Sequence, residues 1–299
     1  MEPASTCSTE ASCQTCDSAQ SCDSQTQQRH MDELIAKRLS LIKHRLVVMS
    51  GKGGVGKTTV AVNLAVALAI SGRQVGILDA DIHGPNVPKM MGVDKVHPVM
   101  GPSGLAPVIS SDAIRVMSMA FLIRDQDTPV AWRGPLKHSV FRQFLADVEW
   151  GPLDYLIVDL PPGTGDEPLS IAQLLGKPLW AIIVTTPQDV ALLDSRKSVL
   201  FGGSLEMNVL GIVENMSGLK CPHCGETIDL FKTGGGQRSS KELNVPFLGA
   251  LPIDPSVVMG GDAGIPAVAI DPDSVTAVAF KELAGRVDHV VNDGIRAAG

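Results

Sequence analysis

The 299-residue chain has no cysteine between Cys22 and Cys221, no long block of basic residues, and no hydrophobic stretch near its start. It also lacks any apolar run of the ~18 residues that a bilayer span requires. Each absence removes a class of function. Without an apolar span the chain is expected to be soluble, with no membrane partner. The first thirty residues are polar and carry no h-region of a secretory signal, so the cytoplasm is the expected location. With 25 basic against 32 acidic residues the net charge is −7, and the basic residues form no block, so no nucleic-acid partner is expected.

The cysteines that are present fall in two groups, Cys7/Cys13/Cys16/Cys22 and Cys221/Cys224. Cysteines scattered through a core act as small packing residues, whereas grouped ones are usually ligands or redox centres, and a cytosolic setting disfavours structural disulfides. The first group has the spacing C-x5-C-x2-C-x5-C in a stretch otherwise made of Ser, Thr, Gln, Glu, Asp and Ala. That composition cannot bury a core, so residues 1–30 read as an extension that is disordered without a metal, followed by one domain over 31–299. Four thiolates suit Zn²⁺ or an iron–sulfur cluster, and a redox pair at Cys13/Cys16 is a third possibility. Cys221-Pro222-His223-Cys224-Gly225 is a C-x-x-C loop with the glycine placement of a metal knuckle; His223 is more simply a solvated side chain.

The most informative stretch is Ser50-Gly51-Lys52-Gly53-Gly54-Val55-Gly56-Lys57-Thr58-Thr59. It follows an apolar run, Leu46 to Met49, and opens a helix-patterned run, Val60 to Leu68, so the context is strand, loop, helix. Gly51, Gly56, Lys57 and Thr58 fit G-x-x-x-x-G-K-[ST], a phosphate-binding P-loop. Glycines let successive backbone N–H groups converge on a polyphosphate, and the helix N-terminus adds partial positive charge. Lys57 is expected to reach the β/γ-phosphates of ATP and the Thr58 hydroxyl to ligate Mg²⁺.

The remaining chain alternates helical and apolar β-type runs. Met31 to Lys43 has helical spacing; Gln74 to Leu78 reads as a strand ending in Asp79-Ala80-Asp81. Carboxylates at the carboxyl end of such a strand face the ligand crevice. Asp81 is the candidate for orienting the attacking water, and Asp79 is placed close to the Mg²⁺ shell. His83 to Ala106 shows no period and reads as a long mobile loop. Asp154 to Asp159 reads as a buried strand whose terminal Asp159 can hold Mg²⁺ through water, with glycines following in Pro161-Pro162-Gly163-Thr164-Gly165. Further strands are expected at Trp180–Thr185, Val209–Val213 and Phe247–Leu251, with helices over 136–148, 190–200 and 274–292. The expected fold is α/β, a mainly parallel sheet covered by helices on both faces.

Lys52 gives the loop a second lysine, K-G-G-x-G-K-T, which resembles the deviant Walker A motif of the MinD, ParA and nitrogenase-iron-protein ATPases. In that class the first lysine crosses a dimer interface, so the resemblance implies an ATP-dependent homodimer with Lys52 acting beside Lys57 and Asp81. VMSGKGGVGKTT, LDADIHGPNVP, DLPPGTGDEP, VENMSG and CPHC together resemble the Mrp/ApbC family, over roughly residues 45–290. The resemblance implies an ATP-hydrolysing carrier or scaffold that assembles a [4Fe-4S] cluster and hands it to apo-proteins. It further implies that Gly51 to Thr59 wrap the nucleotide, that Asn215, Pro252 and Asp254 touch adenine, and that Cys221 and Cys224 hold the transferable cluster. The N-terminal cysteines resemble the extra ferredoxin-like motif of the cytosolic scaffold branch, where the first two cysteines lie farther apart than Cys7 and Cys13 do here. A MinD- or ParA-like partitioning ATPase and a regulatory ATPase with structural zinc are the competing readings.

Overall fold

The strand β1 (Ile42–Met49) ends where the P-loop begins, and its neighbours bring the other functional segments to that end. The computed structural model describes residues 23–101, 103–122, 134–221 and 223–298, so Cys7, Cys13, Cys16 and Cys22 lie outside the described residues.

The strands that follow β1 are β2 (Val75–Asp79), the β3 (Val99–Met100) and β4 (Leu105–Ala106) hairpin, β5 (Val108–Ile109), β6 (Arg115–Ser118), β7 (Leu153–Asp159), β8 (Trp180–Thr185) and β9 (Asn208–Glu214). The β10 (Leu219–Lys220) and β11 (Thr227–Ile228) hairpin and β12 (Phe247–Ala250) complete the strands. Eight of them form one sheet in the order β12-β9-β8-β1-β7-β2-β6-β5, parallel throughout except for β5 against β6.

The helices are α1 (Ser24–Ser40), α2 (Lys57–Ile70), α3 (Val87–Met90), α4 (Gly134–Asp147), α5 (Asp166–Leu175), α6 (Asp189–Ser204), α7 (Gly235–Leu243), α8 (Pro255–Ala263), α9 (Ala267–Ile270) and α10 (Val275–Ala298). Side chains alternate across a strand, so β1 feeds two cores. Leu46 and Val48 face a layer built with α2 and α10, while Val47 and Met49 face one built with α1, α4 and α5. Each such Val or Leu contributes roughly 1.5–3 kcal/mol on burial. α2 is buried all round from Val60 to Leu68, which explains why it is apolar rather than amphipathic. No helix among the described residues is long and apolar enough to cross a membrane.

The expected α/β fold is therefore observed, with several local corrections. The first helix starts at Ser24, so residues 24–30 are helical rather than part of an unstructured extension. Asp23 caps it, accepting from the Thr26 N–H at 2.7 Å, and Leu34, Ile35 and Leu39 bury its inner face. Ile42 and Lys43, expected in that helix, are already in β1. His83 to Ala106 is not structureless, since it contains α3 and the β3–β4 hairpin. β5, β6, α5, α7 and α8 were not anticipated.

Candidate nucleotide site and cysteine loop

The crevice lies where the order reverses around β1, with β7 on one side and β8 on the other. Gly56 caps α2 in the left-handed region at φ +79°, and a Cβ there would lie 2.2 Å from Asn215 Nδ2. Asn215 in turn donates from Nδ2 to the Val55 carbonyl at 2.9 Å. Gly56→Ala should thus combine about 1–2 kcal/mol of backbone strain with displacement of Asn215. The expected result is a clear fall in nucleotide affinity, measured by calorimetric titration; an unchanged affinity would show that the loop tolerates a side chain. At the other end of the loop, a Cβ on Gly51 would meet the Asp194 carbonyl oxygen of α6 at 2.2 Å. Gly53 and Gly54 are exposed, whereas Lys52 and Thr59 are half-buried.

Parallel pairing aligns Val48 of β1 with Asp159 and Asp159 with Asp79. Lys57 Nζ sits 2.7 Å from Asp159 Oδ1 and 4.0 Å from Asp81 Oδ2, and Thr58 Oγ1 donates to Asp159 Oδ2 at 2.6 Å. Burial raises the Asp159 carboxyl above its usual range, opposed by the Lys57 charge and by hydrogen bonds from Lys57 and Thr58. A hydroxyl and two carboxylates beside a cationic amine form a hard-oxygen set that fits Mg²⁺ together with phosphate.

Asp79 is placed differently from the expectation of a residue near the metal shell. Its side chain is fully buried; Oδ1 accepts from the Asp81 N–H at 3.2 Å, and Oδ2 from the Val87 N–H at 3.1 Å and Ser118 Oγ at 3.0 Å. It organises the loop that carries Asp81. Burial and the neighbouring Asp159 push its pKa from 3.8 up to about 8. The folded chain thus holds a proton that the unfolded chain releases, so this contribution favours folding below about pH 4 and is lost as pH rises through about 8. In nucleotide-free protein, the stability of wild type relative to Asp79→Asn should fall between pH 5.5 and pH 8, by at most ~1.4 kcal/mol per pH unit. Urea denaturation at the two pH values measures it, and an unchanged difference rules it out.

Three further contacts escaped the sequence. The Gly163 N–H donates to the Ser50 carbonyl at 2.8 Å, tying the glycine segment after β7 to the P-loop. Lys137 of α4, largely buried, pairs with Glu167 and lies 3.0 Å from His83 Nε2, joining the segments that follow β2 and β7. Glu214, buried at the end of β9, accepts from Ser217 Oγ and from the N–H groups of Gly234 and Gly236. Apart from Glu214 with Ser217, these contacts join residues far apart in sequence; the one visible signal was an acid closing the apolar run of β9.

Asn215 touches the phosphate loop, whereas Pro252 and Asp254 lie in a segment tied to Ser217 and Gly218, just beyond Asn215. Pro252 is half-buried between Leu251, whose carbonyl accepts from the Ser217 N–H at 2.9 Å, and Ile253, whose N–H donates to the Gly218 carbonyl at 2.8 Å. Asp254 caps α8 by accepting from the Ser256 N–H at 2.8 Å and also accepts from Thr276 Oγ1 at 2.6 Å. Burial raises its pKa, but these hydrogen bonds outweigh it and leave the carboxyl below the usual value.

The cysteine loop is the tip of the β10–β11 hairpin. The Cys221 N–H donates to the Glu226 carbonyl and the Gly225 N–H to the Cys221 carbonyl, both at 2.9 Å, with Gly225 at φ +74°. The N–H groups of Cys224 and His223 point at the Cys221 sulfur and, with the Cys224 thiol, lower its pKa. Stabilising a thiolate in this way prepares a ligand. Cys221 is half-buried, Cys224 and His223 are exposed, and both thiols are free. Among the described residues no group of three or more His, Cys, Asp or Glu is arranged to hold a metal.

A family profile described as ParA, NUBPL iron-transfer P-loop NTPase, matches residues 41–288. An iron-sulfur cluster carrier protein of Methanocaldococcus jannaschii is 50% identical over 256 residues, covering 86% of this chain and 88% of the relative. The cytosolic Fe-S cluster assembly factor CFD1 of Saccharomyces cerevisiae is 47% identical over 229 residues, covering 75% and 78%. Among solved structures, the nucleotide-binding protein of Archaeoglobus fulgidus in complex with ADP superimposes with a TM-score of 0.70 at 42% identity, covering 78% of this chain and 91% of that one. The cell division ATPase MinD of Pyrococcus furiosus gives 0.59 at 26% identity, covering 83% and 99%.

Proposed function

Because this chain belongs to the ParA-type NUBPL iron-transfer P-loop NTPase family, we propose that it is an ATP-dependent iron–sulfur cluster carrier, which assembles a [4Fe-4S] cluster as cargo and passes it to apo-protein clients. The observation that carries this reading is the pairing of a P-loop site, Lys57, Thr58, Asp81 and Asp159, with a C-x-x-C loop that leaves the end of β9, where Asn215 touches the phosphate loop.

Gly51 to Thr59 wrap the phosphates of ATP, with Lys57 on the β/γ-phosphates. Asn215, Pro252 and Asp254 face the adenine edge. Thr58, and Asp159 through water, hold Mg²⁺, which when bound neutralises phosphate charge. Asp81, whose Oδ2 lies 4.0 Å from the Lys57 amine, orients the attacking water. Hydrolysis is slow, because no arginine among the described residues contacts the phosphate loop to act in cis. Lys52 reaches the nucleotide of a second copy in a homodimer, and Cys221 and Cys224 of two chains supply the four thiolates of a bridging cluster.

Cys7, Cys13, Cys16 and Cys22 form a separate four-thiolate centre within one chain. Since α1 starts at Ser24 and buries Leu34, Ile35 and Leu39, the test deletion must stop at Cys22. Removing residues 1–22 should lower iron per chain and leave the melting temperature and nucleotide binding of the remainder unchanged. Equal iron content with and without the segment contradicts this centre.

The deciding experiment for the whole reading is anaerobic reconstitution with iron and sulfide. A carrier turns brown, with broad visible thiolate-to-iron absorption, and then activates an apo iron–sulfur enzyme. A colourless protein that retains zinc instead would make the cysteine loop structural.

A further inference from the structure

The cysteine loop is an excursion between the end of β9 and the start of α7, and both of its ends are held by one side chain. Glu214 Oε1 accepts from Ser217 Oγ at 2.5 Å on the outgoing side and from the Gly234 N–H at 2.9 Å on the returning side, while Oε2 accepts from the Gly236 N–H at 2.5 Å. The carboxylate is fully buried and sits at the N-terminus of the nine-residue helix α7, where its charge is favoured. Glycine is required there: a Cβ on Gly235 would lie 2.4 Å from the Pro187 carbonyl, one on Gly236 would lie 3.0 Å from Glu214 Cβ, and Gly234 has φ +77°. The three-glycine stretch is therefore the landing site of the excursion on Glu214.

The next residue, Asn215, holds the phosphate loop through the Val55 carbonyl. The main chain of this pair is pinned on both sides, since the Asn215 N–H donates to the Thr185 carbonyl and the Leu251 N–H to the Glu214 carbonyl, each at 2.8 Å. Two adjacent side chains at one rigid strand end thus grip the nucleotide loop and the two ends of the cysteine excursion.

We infer that Glu214 is a positioning residue that fixes the cysteine pair relative to the phosphate loop, so that nucleotide occupancy is read at the Cys221 and Cys224 thiols. This rests on the nucleotide site proposed above but not on the nature of the cargo. A shift of the Val55 carbonyl when phosphate fills the loop pulls on Asn215, and because Asn215 and Glu214 are held as one stiff unit that load passes to the Glu214 carboxylate, which sets the closure of the excursion. A carboxylate that merely capped α7 would affect stability alone.

The test is the rate of iodoacetamide alkylation of Cys221 and Cys224 in the metal-free full-length chain, mapped by peptide mass spectrometry with and without Mg·ADP or a non-hydrolysable Mg·ATP analogue. Nucleotide should change the wild-type rate about fivefold or more, the lower end of the usual coupling between two sites. Glu214→Gln keeps the shape but turns an N–H donor toward one of the three donors; it should bind nucleotide with near wild-type affinity and lose most of the rate change. Should Glu214→Gln also lose nucleotide binding, Ser217→Ala decides, because it removes one donor on the outgoing side alone and must at least halve the effect. A wild-type chain with no nucleotide effect, or a binding-competent variant that keeps the full effect, overturns the inference. A wild-type chain that shows the effect yet takes up no cluster leaves it standing and refutes the carrier reading instead.

Discussion

Lys57→Ala is expected to lower affinity for Mg·ATP by about a hundredfold or more, since hydrogen bonds to charged groups contribute ~1.5–3 kcal/mol each and this amine serves two phosphates. The substitution acts on the folded chain as well. Lys57 is the cation 2.7 Å from the fully buried Asp159, and removing one member of a buried ion pair typically costs about 3–5 kcal/mol. Part of that loss is recovered because Asp159, already raised by burial, takes up a proton once the amine is gone. The two effects separate in the double variant Lys57→Ala/Asp159→Asn, which should regain stability and still fail to bind. Calorimetric titration beside thermal melts makes the comparison, and full ATP affinity in the single variant would sink the nucleotide assignment.

Cys221→Ala or Cys224→Ala is expected to abolish the bridging cluster and its delivery to an apo-enzyme, with nucleotide affinity unchanged. In the proposed two-fold dimer, one alanine per chain would leave two thiolates where a four-iron cluster takes four. Nucleotide binding survives because the hairpin is held by β10–β11 pairing and by Glu214, neither of which uses a sulfur atom. Iron and sulfide analysis of chains lacking residues 1–22 isolates this site from the N-terminal cysteines. Normal transfer by either variant, or a cluster bound to a monomer, would eliminate the bridging mechanism.

What could be read before the structure was the chemistry carried by contiguous residues. The P-loop was legible because its glycines, Lys57 and Thr58 stand in fixed spacing between a strand and a helix, and β7, β8 and β9 because each is an apolar run closed by a polar residue. β6 was missed because Arg115 to Ser118 is short and begins with a charge; its burial is set by β2 beside it. The start of α1 was missed because Ser24 to Arg29 is as polar as the tail before it, and only the Asp23 cap and the packing on α4 reveal a helix. The role of Asp79 depends on Ser118, and that of Glu214 on Gly234 and Gly236; strand register and loop closure create those pairs, and neither is written in local sequence.

The position of β1 in the sheet also bears on how the chain is made. The strand lies between β7 and β8, so neither of its partners exists until about a hundred more residues have been synthesised. At ~5–20 residues per second that is on the order of ten seconds, during which a strand destined for the middle of the sheet has neither of its neighbours to join. The nucleotide loop, although translated early, therefore becomes competent only after β7 has paired with β1 and delivered Asp159 to Lys57 and Thr58.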